Sequence, residues 1–197
     1  MAAVALQYDE VQARLAHERE QLLQSLPPEL FTGNGILLHS CCAPCSGSMI
    51  KELVELGISV TILWYNPNIH PRKEYEIRKE ENRKYAIKLA IPFVDLDYDV
   101  EEWYKRAEGL EYAPERGERC TMCFDMRMER TALYAHEHGF HYITTTNATS
   151  RWKDVKQVND SGVRAAARYP GINFWDYNWQ TVGDKRAAKQ GSASVLV

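Results

Sequence analysis

The chain of 197 residues is long enough for one domain with a sizeable hydrophobic core. Its hydrophobic fraction of 45%, charged fraction of 26% and net charge of −3 are ordinary for a globular protein, so a globally basic nucleic-acid-binding protein is excluded, although a local basic patch is not. No apolar run reaches the length of a membrane span, and the amino-terminal segment lacks the pattern of a signal peptide. We therefore expect a cytoplasmic protein with no membrane partner.

Hydrophobic periodicity and turn residues divide the chain into alternating helices and strands. We expect helices over residues 8–26, 45–56, 73–90, 100–108, 121–138 and 153–168, and strands over residues 36–40, 58–65, 93–96, 140–146 and 172–175. This alternation predicts an α/β fold in which a parallel sheet is flanked by helices. We expect residues 1–30 to form a helical extension, residues 31–185 an α/β catalytic domain, and residues 186–197 an atypical tail.

Polar residues follow the carboxyl ends of the first four predicted strands. In chain order they are Cys41 and Cys42, residues 66–70, Asp97 and Asp99, and residues 145–150. Parallel strands end at the same edge of a sheet, and ligands of such folds bind beyond that edge. The sequence therefore predicts a functional site in which these polar segments converge.

Five cysteines fall into two clusters, Cys41, Cys42 and Cys45 in the first and Cys120 and Cys123 in the second. In a cytoplasmic protein such clusters favour metal or redox chemistry over structural disulfides. Cys120 and Cys123 are spaced to face one way at the start of a helix, where the positive helix end stabilises thiolates. Cys41 and Cys42 lie at a strand-to-helix junction, which can turn both side chains inward.

Four interpretations of the cysteines stay open at this level. They are a redox-active iron–sulfur site, a structural zinc site, a thioredoxin-like pair formed by Cys42 and Cys45, and ordinary buried cysteines. Clustering argues against the last of these, and the second cluster argues against the thioredoxin-like pair. The spacing of the cysteines does not separate iron from zinc.

Four motifs of the chain together resemble the signature of one family, the QueH-type epoxyqueuosine reductases. The motifs are His-Ser-Cys-Cys-Ala-Pro-Cys-Ser at 39–46, Tyr-Asn-Pro-Asn-Ile-His-Pro at 65–71 with Glu74, Tyr75 and Arg78, Gly-Glu-Arg-Cys-Thr-Met-Cys at 117–123 with Arg127, and Thr-Thr-Thr at 144–146. Because they occur in the family's order over most of the chain, the resemblance is specific.

The resemblance implies reduction of epoxyqueuosine to queuosine at the wobble position of tRNA, on a Rossmann-like fold similar to adenine-nucleotide hydrolases. It implies a [4Fe–4S] cluster held by Cys41, Cys42, Cys120 and Cys123, no cobalamin, and a separate, unidentified electron donor. It also implies a second, mononuclear iron beside the cluster, for which Cys45 with Asp97 or Asp99 is the expected ligand set.

Substrate contacts and proton donors are expected at the same edge. Asp97, Asp99, His39 and His70 are the candidate acids for protonating the epoxide oxygen. For the substrate tRNA, we expect contacts from Asn66 and Arg78 near the cysteines. A second tRNA-binding segment is expected after the fourth strand, where Arg151 and Lys153 flank Trp152, because cationic and aromatic side chains bind phosphates and unstacked bases.

Two alternatives to the reductase remain to be weighed. A PP-loop-like tRNA ligase or sulfur transferase needs a Ser-Gly-Gly-x-Asp-Ser phosphate loop after the first strand, where this chain has cysteines. The second alternative is a zinc- or cluster-stabilised tRNA-binding protein without reductase activity. It is suggested by the absence of any cysteine after Cys123, since the family's members carry a carboxyl-terminal Tyr-Cys-Gly-Cys run. We accordingly expect the tail to be truncated or disordered.

Overall fold

The computed structural model describes residues 2–150 and 152–176, and within them it describes no side chain for residues 2–9, 15, 18, 22, 43–46 and 48. The helices are α1 (Ala2–Ser25), α2 (Ala43–Glu55), α3 (Arg72–Lys88), α4 (Val100–Ala107), α5 (Glu118–Glu137) and α6 (Val155–Ala166). The strands are β1 (Ile36–His39), β2 (Val60–Trp64), β3 (Phe93–Asp95), β4 (Tyr142–Thr145) and β5 (Asn173–Phe174). Short 3₁₀ turns occupy Pro28–Phe31 and Thr146–Thr149.

The five strands form one parallel sheet in the order β3-β2-β1-β4-β5. The predicted α/β fold is therefore confirmed. The chain first builds outward from β1 through β2 to β3, and then returns to the other side of β1 to add β4 and β5. This reversal makes the carboxyl ends of β1 and β4 the topological switch point, where ligands of such sheets bind.

Alternating side chains of the central strands supply the core on both faces of the sheet. Leu38 of β1 packs in a cluster with residues of α2, such as Ile50 and Leu53. Its neighbour Leu37 packs in a second cluster on the other face with residues of α5, such as Met128. All of these side chains are fully or almost fully buried, and each contributes about 1.5–3 kcal/mol by its removal from water.

Two strands begin two residues later than predicted, for the same physical reason. The amide of Ile58 donates to the carbonyl of Leu53, and the amide of Phe140 donates to the carbonyl of Ala135. In both cases a glycine with positive φ, Gly57 or Gly139, directly follows the helix end, as in a Schellman motif. Ile58 and Phe140 therefore complete the preceding helix and still bury their side chains, but they do not join the sheet.

The terminal regions are described only in part. The helical character predicted for the amino-terminal extension is confirmed by α1, and the guanidinium of Arg19 donates to the carbonyl of Glu55 at the end of α2. Residues 186–197 lie outside the described residues, so the predicted domain boundaries stay predictions. Within the part of the chain that the structure describes, no helix is both long and apolar enough to cross a membrane.

We expect Gly35→Ala to lower the free energy of unfolding by about 2–4 kcal/mol. Gly35 has a φ of 63°, and a Cβ there would lie 2.0 Å from the carbonyl oxygen of Ser59, which accepts the first hydrogen bond between β1 and β2. The matched control is Gly33→Ala, because Gly33 has a φ of 59° but nothing within 4 Å of the added carbon. Urea denaturation measures both changes, and equal destabilisation by the two variants would contradict the steric argument.

Candidate functional site

The first cysteine cluster lies at the switch point between β1 and β4. The backbone amide of Cys41 donates to the hydroxyl of Thr146 over 3.1 Å, and that hydroxyl donates to the Cys41 sulfur over 3.4 Å. The sulfurs of Cys41 and Cys42 lie 3.9 Å apart, and both residues are half-buried and free of disulfides. The structure therefore brings together the segments that follow β1 and β4, as parallel pairing predicts.

A buried hydrogen-bond network supports the backbone that leads into these cysteines. Asn66 is fully buried and donates its amide to the carbonyl of Ser40 over 2.8 Å. The hydroxyl of Ser40 in turn donates to the side-chain oxygen of Asn82, a buried residue of α3. Asn66, expected to contact the substrate, thus binds the cysteine loop, and its own side-chain oxygen is buried without a protein partner among the described residues.

Arg78 places a positive charge near the first cysteine cluster. Its Nε donates to the carboxylate of Glu74 over 2.7 Å, and this bond holds the pKa of Arg78 above its ordinary value. The negative charges of the Cys42 and Cys41 thiolates raise the pKa of Arg78 further. The Arg78 guanidinium, on α3, therefore interacts favourably with negative charge at the first cysteine cluster.

The second cysteine cluster lies in the first two turns of α5, which begins three residues earlier than predicted. The helix starts after Gly117, and the amide of Cys120 donates to the Gly117 carbonyl. Both cysteines therefore lie near the positive end of the helix, which favours thiolates. Cys120 packs against the core, while the sulfur of Cys123 accepts a hydrogen bond from the indole Nε1 of Trp103 over 3.4 Å.

Arg127 is a buried cation one turn after Cys123. Only 2% of its surface is exposed. Its guanidinium donates to the carbonyl of Cys123 over 3.0 Å and to the side-chain oxygen of Asn147 over 3.4 Å, and it lies 5.2 Å from the centre of the Phe124 ring. The ion pairs found among the described residues do not include Arg127. A buried charge without a counter-ion is costly, so the site favours an anion beside Arg127.

A cavity of about 240 Å³ opens beside the second cysteine cluster. Its lining combines the two cysteines with four cations, two carboxylates, three aromatic rings and two amides: Cys120, Cys123, Arg116, Arg119, Arg127, Lys153, Glu115, Asp154, Trp103, Phe124, Trp152, Asn68 and Gln157. Cations thus outnumber carboxylates around it. The side-chain oxygens of Asn68 and Gln157 are buried without a hydrogen-bond partner among the described residues.

Gln157 joins α6 to the start of α5. Its amide nitrogen donates to the carbonyls of Arg116 and Gly117 and to the hydroxyl of Thr121, over 2.9, 3.1 and 2.7 Å. Three acceptors around one nitrogen fix the orientation of the amide group. Sequence reasoning missed Gln157, and no motif marked it; a polar residue one turn into a helix after a predicted binding segment was the only available signal.

The tRNA-binding segment predicted after β4 is described in part. Lys153 donates from Nζ to the same oxygen of Asn147 that accepts from Arg127, over 2.5 Å, and lies 5.8 Å from the centre of the Phe124 ring. Trp152 is 66% exposed, and its carbonyl accepts from Nε of Arg116. Lys153 and Trp152 therefore lie beside the cavity, whereas Arg151 lies outside the described residues.

The two histidines proposed as acids differ in their surroundings. His39 is fully buried, with Nδ1 2.9 Å from the hydroxyl of Thr145 and Nε2 3.1 Å from the carbonyl of Tyr65. Since a carbonyl only accepts, Nε2 carries the proton of the neutral ring. Burial lowers the pKa of His39 to about 3, so this histidine is a neutral structural group at physiological pH. His70 is stacked on Tyr104 at 4.8 Å, and burial lowers its pKa too.

The remaining predicted residues lie at the edge formed by β3 and α4. Asp97 is exposed, whereas Asp99 is half-buried and accepts a hydrogen bond from the hydroxyl of Tyr65 over 2.8 Å. Burial and the bond to Asp99 raise the pKa of Tyr65, so its hydroxyl stays protonated. The side chain of Cys45 is not among those described. Within the described residues, no three histidine, cysteine or acidic side chains are grouped closely enough to hold one metal ion.

Comparison with known proteins identifies the family. The family model described as epoxyqueuosine reductase QueH matches residues 36–195 of this chain. The epoxyqueuosine reductase QueH of Acinetobacter baylyi is 58% identical over 148 residues, which are 75% of this chain and 68% of that protein. The Haemophilus influenzae protein of the same name is 57% identical over 150 residues, 76% of this chain and 61% of that protein. The Histophilus somni protein of the same name is 57% identical over 150 residues, 76% of this chain and 62% of that protein. The chain therefore belongs to the epoxyqueuosine reductase QueH family, a family of oxidoreductases.

Proposed function

We propose that this chain reduces the epoxide of epoxyqueuosine in tRNA to the alkene of queuosine, using a [4Fe–4S] cluster held by Cys41, Cys42, Cys120 and Cys123 and no cobalamin. Membership of the family supports the reaction. One structural observation supports the cluster above all: Arg127 is a buried cation without a carboxylate partner among the described residues, directly bonded to the backbone of Cys123. A cluster with four thiolates carries the negative charge that this position favours.

The chemistry of the donor set suits such a cluster, since all four residues are cysteines. The four cysteines are half-buried and form no disulfide. Arg78 and the amino-terminal end of α5 add positive potential to that of Arg127. Each thiolate of a [4Fe–4S] cluster binds a different iron, so the ligands need not surround a single point as they do around one ion. When bound, the cluster would supply electrons singly, received from a separate donor protein.

Removal of the epoxide oxygen requires two electrons and two protons and releases water. Both carbon–oxygen bonds break, the carbon–carbon double bond forms, and the oxygen must be protonated to leave. Of the predicted acids, Asp99 has the better geometry, because it is half-buried and bonded to Tyr65, whereas Asp97 is exposed. The Asp99 carbonyl also accepts from the backbone amide of Trp103, whose indole contacts Cys123, which links Asp99 to the cysteine site.

The second, mononuclear iron remains part of the proposal, with Cys45 and either Asp97 or Asp99 as its ligands. One oxygen of the Asp99 carboxylate accepts from Tyr65, which leaves the other oxygen for a metal ion. Carboxylate oxygen and thiolate sulfur together suit iron. In this arrangement Asp99 would serve as a ligand, and Asp97 would be the remaining acid.

The cavity beside Cys120 and Cys123 is the proposed contact for the anticodon of the substrate tRNA. Arg116, Arg119 and Lys153 supply cations for phosphates, and the exposed ring of Trp152 offers a stacking surface for a base. Arg151, adjacent to Trp152 in the sequence, is proposed to extend the same basic surface. The epoxide of a nucleotide bound there would lie near the cysteines that carry the cluster.

One distance favours a second candidate function, a zinc-stabilised tRNA-binding protein. Two thiolates bound tetrahedrally to one zinc ion at about 2.3 Å lie about 3.8 Å apart, and the sulfurs of Cys41 and Cys42 are 3.9 Å apart. This pair therefore also has the spacing of two ligands of a single ion. Metal content separates the two candidates.

We expect anaerobically purified protein to be brown and to contain about four irons and four sulfides per chain. Arg127→Met should lower the iron retained several-fold, because the anionic cluster loses its buried counter-ion, while Arg130→Met, one turn further along α5, should leave it unchanged. Cys42→Ala should abolish the visible absorption. Colourless protein with one zinc per chain would favour the zinc-stabilised tRNA-binding protein. Full iron content in Arg127→Met would contradict the role of Arg127 as the counter-ion of the cluster.

Asp99→Asn is expected to lower kcat for epoxyqueuosine tRNA by about 100-fold or more, since the amide neither donates the carboxyl proton nor provides a carboxylate ligand. KM should change little. The exposed Asp97 provides the matched variant, Asp97→Asn. A change of less than about threefold is expected if Asp99 is the acid, and a loss of about 100-fold if Asp99 is the iron ligand and Asp97 the acid. Full turnover by Asp99→Asn with normal iron content would exclude Asp99 from the reaction.

Affinity for tRNA should fall as salt rises, and the double variants Arg116→Ala/Arg119→Ala and Arg151→Ala/Lys153→Ala should each weaken binding about tenfold or more. Each lost phosphate contact should also reduce the slope of log affinity against log salt by about 1. Lys84→Ala/Lys88→Ala on α3 removes two cations from a different surface and serves as control. Binding without salt dependence, or equal losses in all three double variants, would exclude the cavity as the tRNA contact.

A further inference from the structure

Trp103 makes a contact that neither the sequence motifs nor the proposed tRNA surface explains. Its indole Nε1 donates to the sulfur of Cys123 with an N–S distance of 3.4 Å. The indole nitrogen can only donate a hydrogen bond, so its orientation toward the sulfur is unambiguous, unlike that of a histidine or an amide. The two residues come from different helices, α4 and α5, which pack against each other.

The Trp103 ring is held in place by neighbours on α4 and on the loop after β2. It lies 4.9 Å from the ring of His70 and 5.5 Å from that of Tyr104, with which it makes an edge contact. Its backbone amide donates to the carbonyl of Asp99 over 3.1 Å. Packing against the core cluster on the α5 side of the sheet further restricts the orientation of the ring. These contacts hold the N–H group in its orientation toward the sulfur of Cys123.

We propose that Trp103 raises the reduction potential of the cluster by donating its N–H to the sulfur of Cys123. This inference rests on the proposed function, because it takes Cys123 to be a cluster ligand. Reduction adds one electron to the cluster, and part of the added negative charge falls on the ligand sulfurs. A hydrogen-bond donor aimed at one of these sulfurs stabilises the reduced state more than the oxidised state, and so favours uptake of the electron.

Trp103 is a positioning residue in this role, since it acts on the cluster through the sulfur of Cys123. Arg127 contacts the same cysteine at a different atom, its backbone carbonyl. Both contacts favour the more negative, reduced state, but the charge of Arg127 also offsets the total charge of the cluster, whereas the N–H of Trp103 is neutral and acts on one ligand sulfur. Loss of Trp103 should therefore change the potential while leaving the iron content intact.

The test is a potentiometric titration of the reconstituted cluster, followed by electron paramagnetic resonance of the reduced state. Trp103→Phe keeps an aromatic ring in the stack but removes the donor. We expect it to shift the one-electron equilibrium toward the oxidised cluster by about threefold to tenfold, the larger value corresponding to a potential lower by about 59 mV. The number of irons and sulfides per chain should equal that of the wild type.

Two further variants separate the hydrogen bond from packing. Tyr104→Phe alters the same aromatic stack without touching Cys123, and should leave the potential unchanged. Replacing Trp103 by benzothienylalanine keeps the bicyclic shape but removes the N–H, and should reproduce the shift of Trp103→Phe.

Three results would overturn the inference. They are an unchanged potential in Trp103→Phe, an equal shift in Tyr104→Phe, and loss of the cluster in the benzothienylalanine variant, which would make Trp103 a structural residue. Wild-type protein without any visible absorption would overturn the cluster itself, and the proposed function with it. An intact wild-type cluster whose reduction potential is the same in Trp103→Phe would overturn this inference alone.

Discussion

The parallel pairing of β1 with both β2 and β4 is the constraint on which the rest of the structure depends. Because β1 is central and its neighbours share its direction, three chain segments far apart in sequence end at one edge. The hydroxyl of Thr146 then fixes Cys41 from the β4 side, and Asn66 fixes the preceding residue from the β2 side. No side chain of β1 is exposed, and its backbone pairs with β2 and β4 along its whole length, which fixes the position at which Cys41 follows the strand.

Buried positive charge beside the cavity is the second feature that organises the site. Arg127 is almost completely buried, and it shares the side-chain oxygen of Asn147 with Lys153, so two cations converge on one neutral acceptor. A protein with a net charge of −3 has no general excess of cations, so this arrangement is local. It favours an anion next to Cys123, and the same charges face the cavity proposed to bind the substrate's phosphates. Metal binding and substrate binding would thus depend on one set of side chains.

The secondary structure and the order of the motifs could be predicted well from the sequence, because both depend on neighbours along the chain. Continuous apolar runs in strands that are buried on both faces, proline at helix starts and glycine after helix ends are local signals. The errors were also local: Ile58 and Phe140 are strand-like residues that instead complete Schellman motifs, because their amides find carbonyls in the preceding helix. The role of His39 could not be predicted from such local signals. Its type suggests an acid, but only the fold buries it and engages both ring nitrogens.

The sequence by itself determined the family, the parallel α/β class and the identity of the clustered cysteines, because motif spacing and hydrophobic periodicity depend only on the order of residues along the chain. Only the tertiary structure decided which side chains meet those cysteines. Trp103 and Cys123 lie on separate helices, and Gln157 reaches the start of α5 from α6, contacts that no sequence pattern encodes. Their physical origin is the packing of α4 and α6 against α5, which depends on the buried faces of whole helices. The hydrogen bonds that result are consequences of that packing, and they were therefore beyond prediction from residue types alone.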